Sequence, residues 1–430
     1  MNARTQQPRR RPSATTGPDS PVLSRGDHRA LGAALDLFVI DPLVGSGLPL
    51  WLPKGATVRR ALERYVTDEE TAAGYDHVLT PHLGREELYL ASGHLPYYRE
   101  SMFPPMVVDQ ERFVLKPMNC PHHIRIFQAR PRSYRDLPLR LAEFGTVYRY
   151  EKSGQLQGLT RVRGMSMNDA HVFCTEAQLE TEIRAVLSLT QRIYTTLGLK
   201  NFWIELALHD PRNRKKYAED PALWEASEHA IRTALQNADL TFTEVPGEAA
   251  FYGPKADIQM NDAAGHTFTV STIQVDMLLP ARLNVTYTNA RGDQSRPIII
   301  HRAPIGTSER FVAFLIEHFA GAFPLWLAPI QVRVLPVNEQ VGPYADSVAR
   351  AFRAASLRTE TDASGETLPK KIRNAETQKI PVMAVAGTDE AAHGTVTLRL
   401  RGGTKIAAQP LAQAVSFLAE HAAKKSLTIA

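Results

Sequence analysis

Between residues 256 and 306 the chain sets strand after strand with little between them: "ADIQMND", "TFTVSTIQVDM", "LNVTYTN" and "RPIIIHRAPIG". Upstream, "ERFVLKP", "RLAEFGTVYRYE" and "MNDAHVFC" read as further strands before a long helix from about Thr175 to Leu197. Parallel neighbours need crossover connections of a dozen or more residues, so strands this closely spaced must pair mainly antiparallel. Regular strand–helix alternation begins only after "FPLWLAP", where "IQVRVLPV", "PYADSVARAFRAA", "LRTETD", "PKKIRNAETQK", "IPVMAVAG" and "AQAVSFLAEHAAK" follow in turn. The expected fold is therefore α+β, with a mainly antiparallel sheet and flanking helices over residues 27–328 and a separate α/β domain over 329–430.

Residues 1–26, rich in Arg, Pro, Ser and Thr with few large apolar side chains, cannot bury enough surface to fold and are expected to form a disordered tail. The same Arg-rich, acid-poor composition also suits an organellar transit segment. The chain has no run of about 18 apolar residues and no secretory signal pattern, so no membrane partner is indicated and a cytoplasmic location is the expectation. Two cysteines in 430 residues exclude a disulfide framework. A net charge of +5 suits a nucleic-acid partner without establishing one.

One of those cysteines, Cys120, lies in "FVLKPMNCPHH", with His122 and His123 just after it. His171 and His301, both in strand-like segments, are candidate partners, but separations of 51 and 130 residues match no compact zinc finger. On residue types alone, a buried thiol and two satisfied core histidines are the favoured reading. Three protein ligands with one open position would instead mark a zinc that touches substrate.

In order along the chain, "KPMNCP", "SYRDLPLRLAEFG", "RVRG", "NDAHVFC", "FYGPK", "STIQVD" and "HRAPIGTSERF" resemble the catalytic core of the threonyl-tRNA synthetases, a family of class II aminoacyl-tRNA synthetases, over roughly Asp27 to Lys425. The resemblance implies a threonine-tRNA ligase that makes threonyl-adenylate from ATP and L-threonine and transfers it to tRNA(Thr), with Mg²⁺ accompanying ATP. It implies one zinc ion (Zn²⁺) per chain on Cys120, His171 and His301, and leaves His123 to packing. An apolar pocket separates isosteres such as threonine and valine by only about 10²-fold, whereas a metal accepting both amino and hydroxyl groups asks a question valine cannot answer. The resemblance assigns Asp169 to the threonine hydroxyl and Met118, Tyr252 and Gln274 to the amino-acid pocket. Asp169 alternates onto the strand face of His171. Without the resemblance, Tyr252 reads as core and Gln274 as a surface strand residue.

"TVYRYEKSG" resembles the class II strand-loop motif, in which Arg149 would clamp the α-phosphate and Glu151 read the adenine amino group. Arg161 and Arg310 match arginines at the γ-phosphate and over adenine, and Met165 the position beneath the base. A guanidinium fork suits the charge that develops on phosphate oxygens, which makes Arg149 and Arg310 the expected catalytic residues. "ATVRRALERYVTDEETAAGYDHVLTP" resembles the dimer-interface motif, implying a homodimer. The domain from Pro329 resembles the anticodon-binding domain, with Lys371, Arg373, Glu390 and Arg399 as expected RNA contacts.

The chain departs from the family pattern in places. Met165 replaces a common aromatic, Met167 and Thr269 each replace a common Gln, and Pro304 and Thr307 alter "HRAPIGTSERF". With about 26 residues before the core, the expectation is a form without the N-terminal and editing domains, hence no editing in cis. The alternative to a ligase is a paralogue that binds tRNA or an adenylate for regulation or specialised biosynthesis, or an inhibitor-resistant copy.

Overall fold

The structure, a computed structural model, describes residues 26–429 except 215, 218, 219, 262–264 and 266; nearly all of the expected tail lies outside the described residues. An eight-stranded sheet forms its centre. In chain order its strands are β1 (Asp76–His77), β2 (Leu139–Tyr148), β3 (Gly164–Cys174), β4 (Phe202–Leu208), β5 (Phe242–Pro246), β6 (Lys255–Asn261), β7 (Thr267–Asp276) and β8 (Ile298–Ala303). Their spatial order is β5-β4-β6-β7-β8-β3-β2-β1. The six central strands pair antiparallel, and only the outermost pairs, β4 with β5 and β1 with β2, run parallel. β8 is buried at every position, as its continuous apolar run demands of a strand covered on both faces.

Helix α1 (Pro53–Ala72) starts with proline at its first position, where the missing N–H costs nothing, and buries Val58, Leu62, Tyr65 and Val66 along one stripe. Helix α2 (Cys120–Phe127) is short and buries its first residues. Helix α3 (Glu176–Thr196) opens on a capping box between Thr175 and Gln178 and covers the sheet with Leu179, Ile183, Val186 and Thr190. Helix α4 (Ser308–His318) follows β8 and is capped by Thr307.

One apolar core runs from Leu35 to Ala328, and a second gathers Leu325 with residues from Val332 to Leu418. The second core lies on a five-stranded sheet containing β9 (Val332–Pro336), β10 (Thr359–Thr361), β11 (Val382–Ala386), β12 (Thr395–Leu400) and β13 (Lys405–Pro410), in the order β10-β9-β11-β12-β13. The first three are parallel, joined by helices as the alternation predicts, while β12 and β13 add antiparallel at one edge.

Two segments of strand-like sequence pair only in part. In "DHVLTPHL" only Asp76 and His77 pair with β2: the Thr80 N–H goes to the Glu143 carboxylate, Pro81 has none to give, and Leu83–Arg85 joins a separate small sheet. "LNVTYTN" contributes only Tyr287–Thr288, in a hairpin with Gln294–Ser295. Among the described residues, no helix is long and apolar enough to cross a membrane.

Candidate active site

Strand register assembles the site. Gln274 on β7 stands opposite His301 on β8, and His301 opposite His171 on β3, so three residues from three adjacent strands form a row on one face. Asp169, two residues before His171, is on the same face and pairs with Glu143 on β2. Cys120 is delivered from above the sheet by the buried first turn of α2. Donor atoms of Cys120, His171 and His301 all lie within 4.8 Å of one another. His171 Nε2 is 3.0 Å from His301 Nδ1.

These residues fit a zinc ion on the chemistry of their own contacts. The far nitrogen of His301, Nε2, lies 2.8 Å from the Asp276 carboxylate, which can only accept. A neutral His301 therefore carries its proton there and turns a lone pair inward, as a ligating imidazole does. Burial holds the Cys120 thiol well above its ordinary value, and burial, then His301, holds His171 well below its own, which favours the neutral thiol and, at His171, the neutral imidazole. A thiolate and two imidazoles are a borderline-soft set suited to zinc.

The cluster opens into a cavity of about 470 Å³. Met118, Cys120, Arg149, Met165, Asp169, His171, Tyr252, Gln274, His301 and Arg310 all line it, as do the departures Met167, Thr269 and Thr307. Tyr252 stacks on the His301 ring at 4.7 Å and its hydroxyl donates to Gln274. Asn119 donates from Nδ2 to Asp169 at 2.9 Å. It can sit there because residue 145, facing it from β2, is glycine: a Cβ would lie 2.4 Å from Asn119 Oδ1.

In the same cavity, Arg149 leaves its buried Nε without a protein partner. Arg310 donates from Nε to the Thr160 carbonyl at 3.0 Å. Burial, then Arg149 and Arg161, depresses the Arg310 pKa, which marks a place where guanidinium charges crowd and an anion would relieve them. Glu151 and Arg161 pair with each other at 2.8 Å and do not line the cavity. Pro304 is also off the lining, its carbonyl accepting from Tyr194.

Several contributors were not singled out in the sequence. Asp276 in "STIQVD", Asn119 in "KPMNCP" and Glu143 in "LAEFG" lie inside motif words, but their partners depend on register between strands. His94, with Nε2 3.4 Å from Cys120 Sγ, carried no signal at all. His123, expected to pack, is buried but also contacts His171 Nδ1 at 2.8 Å. In the second domain the expected RNA contacts separate. Arg373 is exposed, Arg399 and Glu390 are half-buried, and Lys371 is buried with its ammonium donating to the Pro336 carbonyl at 3.0 Å. Lys371 is thus turned into the protein, because it lies on the covered side of its helix, Leu368–Thr377.

The class II tRNA synthetase core domain (G, H, P, S and T) matches residues 106–319, and the anticodon binding domain matches residues 331–421. The chain is 51% identical over 390 residues to a threonine–tRNA ligase of Thermus thermophilus, covering 90% of this chain and 59% of that one. It is 47% identical over 400 residues to the threonine–tRNA ligase of Geobacillus kaustophilus, covering 93% and 61%. The chain thus spans about three fifths of the length of these curated relatives. Among solved structures, the RNA binding domain of threonyl-tRNA synthetase from Cryptosporidium parvum superposes with a TM-score of 0.87 at 37% identity, covering 94% of this chain and 99% of that one. With its sheet register, its cavity and these likenesses together, the chain belongs to the threonyl-tRNA synthetase family of the class II aminoacyl-tRNA synthetases.

Proposed function

We propose that the protein is a threonine-tRNA ligase, activating L-threonine with ATP and Mg²⁺ and transferring it to tRNA(Thr). The observation that carries this reading is the sharing of one cavity by the donors of Cys120, His171 and His301, the Asp169 carboxylate, and Arg149 with Arg310. Zinc bound at the triad supplies coordination positions for an amino group and a hydroxyl. Asp169, oriented by Asn119, accepts a hydrogen bond from the threonine hydroxyl, while Tyr252 and Gln274 wall the side chain. Arg149 and Arg310 take the ATP phosphates; as the threonine carboxylate attacks the α-phosphorus and pyrophosphate departs, they stabilise charge on the phosphate oxygens. Glu151 and Arg161, paired with each other, serve the adenine and γ-phosphate side. The adenylate then loses AMP to a hydroxyl at the 3′ end of tRNA.

In the same reading, residues 27–328 form the catalytic domain and 329–430 the anticodon-binding domain, with Arg373, Glu390 and Arg399 meeting RNA. Leu43 and Leu79, 98% and 93% exposed, with Met106, Val107 and Val108 also exposed, offer the apolar surface for a homodimer. Pyrophosphate exchange with each of the twenty amino acids tests the activity. Threonine should support exchange, and serine should support it about 10–200-fold less well, since it keeps both polar groups and loses one methyl contact. No threonine-dependent exchange from zinc-loaded protein would overturn the reading.

A further inference from the structure

Behind the metal triad runs a chain of buried contacts that the reaction described above does not use. His171 Nδ1 lies 2.8 Å from His123 Nδ1, and His123 Nε2 lies 3.1 Å from Glu143 Oε1. Glu143 is itself fixed: Thr80 donates to it from its hydroxyl at 2.7 Å and from its backbone N–H at 3.1 Å, and the Lys116 ammonium stands 3.5 Å away. His123, Lys116 and Glu143 are almost wholly buried.

The protons along this chain follow from one end. A carboxylate only accepts, so a neutral His123 must carry its proton on Nε2, leaving Nδ1 as an acceptor. His171 must then carry its proton on Nδ1 and turn the Nε2 lone pair towards His301 and Cys120. Asp276 imposes the same inward lone pair on His301 from the opposite side. Two facing lone pairs 3.0 Å apart repel unless a cation lies between them, so the flanking carboxylates build a cation site by fixing tautomers.

The geometry points to His123, anchored by Glu143, as the positioning residue that presents His171 Nε2 to the metal. The inference rests on the zinc reading above and goes beyond it by naming what sets the ligand's tautomer and ring plane. Outer partners of ligating histidines typically contribute 10–100-fold in metal affinity.

The test is zinc affinity of the full chain, measured by competition with a chromophoric chelator, and the absorption spectrum of the cobalt-loaded protein. His123→Leu keeps the bulk but removes the acceptor, and should weaken zinc binding 10–100-fold. His123→Asn places an amide oxygen near the lost Nδ1, and should restore affinity to within about threefold of wild type with an unchanged cobalt spectrum, a rescue that packing alone does not explain. His123→Leu binding zinc within threefold of wild type would overturn the inference. Should that variant not fold, histidine labelled with ¹⁵N in the zinc-loaded wild type decides: His171 must show a protonated Nδ1 and a metal-shifted Nε2, and the reverse overturns the assignment. A wild-type chain that takes up no zinc overturns the zinc reading itself, whereas zinc uptake with indifferent His123 variants overturns this inference alone.

Discussion

The cysteine–histidine corner of the large sheet and the surface of the second domain carry their polar residues in opposite ways. Around Cys120, the two histidines have their far nitrogens committed, His171 to His123 and His301 to Asp276, with Tyr252 stacked on the His301 ring, so their near nitrogens are aimed at one point. In the second domain, Arg373 is free on the surface. Glu390 divides its oxygens between the Gly387 N–H and the Thr397 hydroxyl, and Lys371 is folded inward. A preorganised pocket discriminates by leaving groups unpaired when the wrong ligand enters, whereas a surface held by scattered charges mainly positions a polyanion.

The sharpest way to break this contrast is valine. A site built around a substrate hydroxyl rejects the analogue lacking it by about 10⁴–10⁵-fold, against about 10² for an apolar pocket. Valine-dependent pyrophosphate exchange should therefore fall near the lower limit of measurement, and discrimination of only 10²-fold would mean that the polar cluster does not read the hydroxyl.

Next in size is Arg149→Ala, expected to lower threonine activation about 10²–10³-fold with the thermal melt little changed, since the guanidinium faces the cavity with Nε unpartnered. Activation within threefold of wild type would remove Arg149 from the phosphate end.

Lys371→Met should destabilise the protein by about 1–2 kcal/mol, because the Pro336 carbonyl loses its donor in a buried place. The salt dependence of tRNA binding should not change. A shallower salt slope would show that Lys371 swings out to meet a phosphate after all.

Arg373→Ala should do the converse at smaller scale: no effect on stability, a few-fold weaker tRNA binding, and a salt slope lower by about one ion. Filter binding at several salt concentrations reads both quantities.

The sequence made legible the antiparallel core and the change of architecture near Pro329 through periodicity, and through long motif words several of the residues that line the cavity, whereas Tyr97, Lys216 and Lys255 line it unannounced and Glu151 and Arg161 do not line it. Gln274 shows the limit of periodicity. Alternation along "TFTVSTIQVD" places it on the polar face, which in a half-buried strand means solvent, yet here that face is the cavity wall. His123 shows another limit. Its role depends on Glu143, twenty residues away on a strand whose register is set by hydrogen bonds to β3, and no local pattern announces that meeting. Lys371 shows a third, since a lysine in an amphipathic helix ordinarily reads as exposed, while this one reaches the end of a neighbouring strand.

Gly145 gives the pocket a boundary made of nothing. Asn119 can lie against β2 and hold the Asp169 carboxylate only because position 145 bears a hydrogen where any other residue would bear carbon. In the proposed ligase, part of the code for choosing one amino acid over another is therefore written at a residue that contributes no side-chain atom to the ligand cavity. A substitution there would displace Asn119, and in the proposed ligase the mutational target for misacylation would then extend beyond the residues a bound substrate could touch.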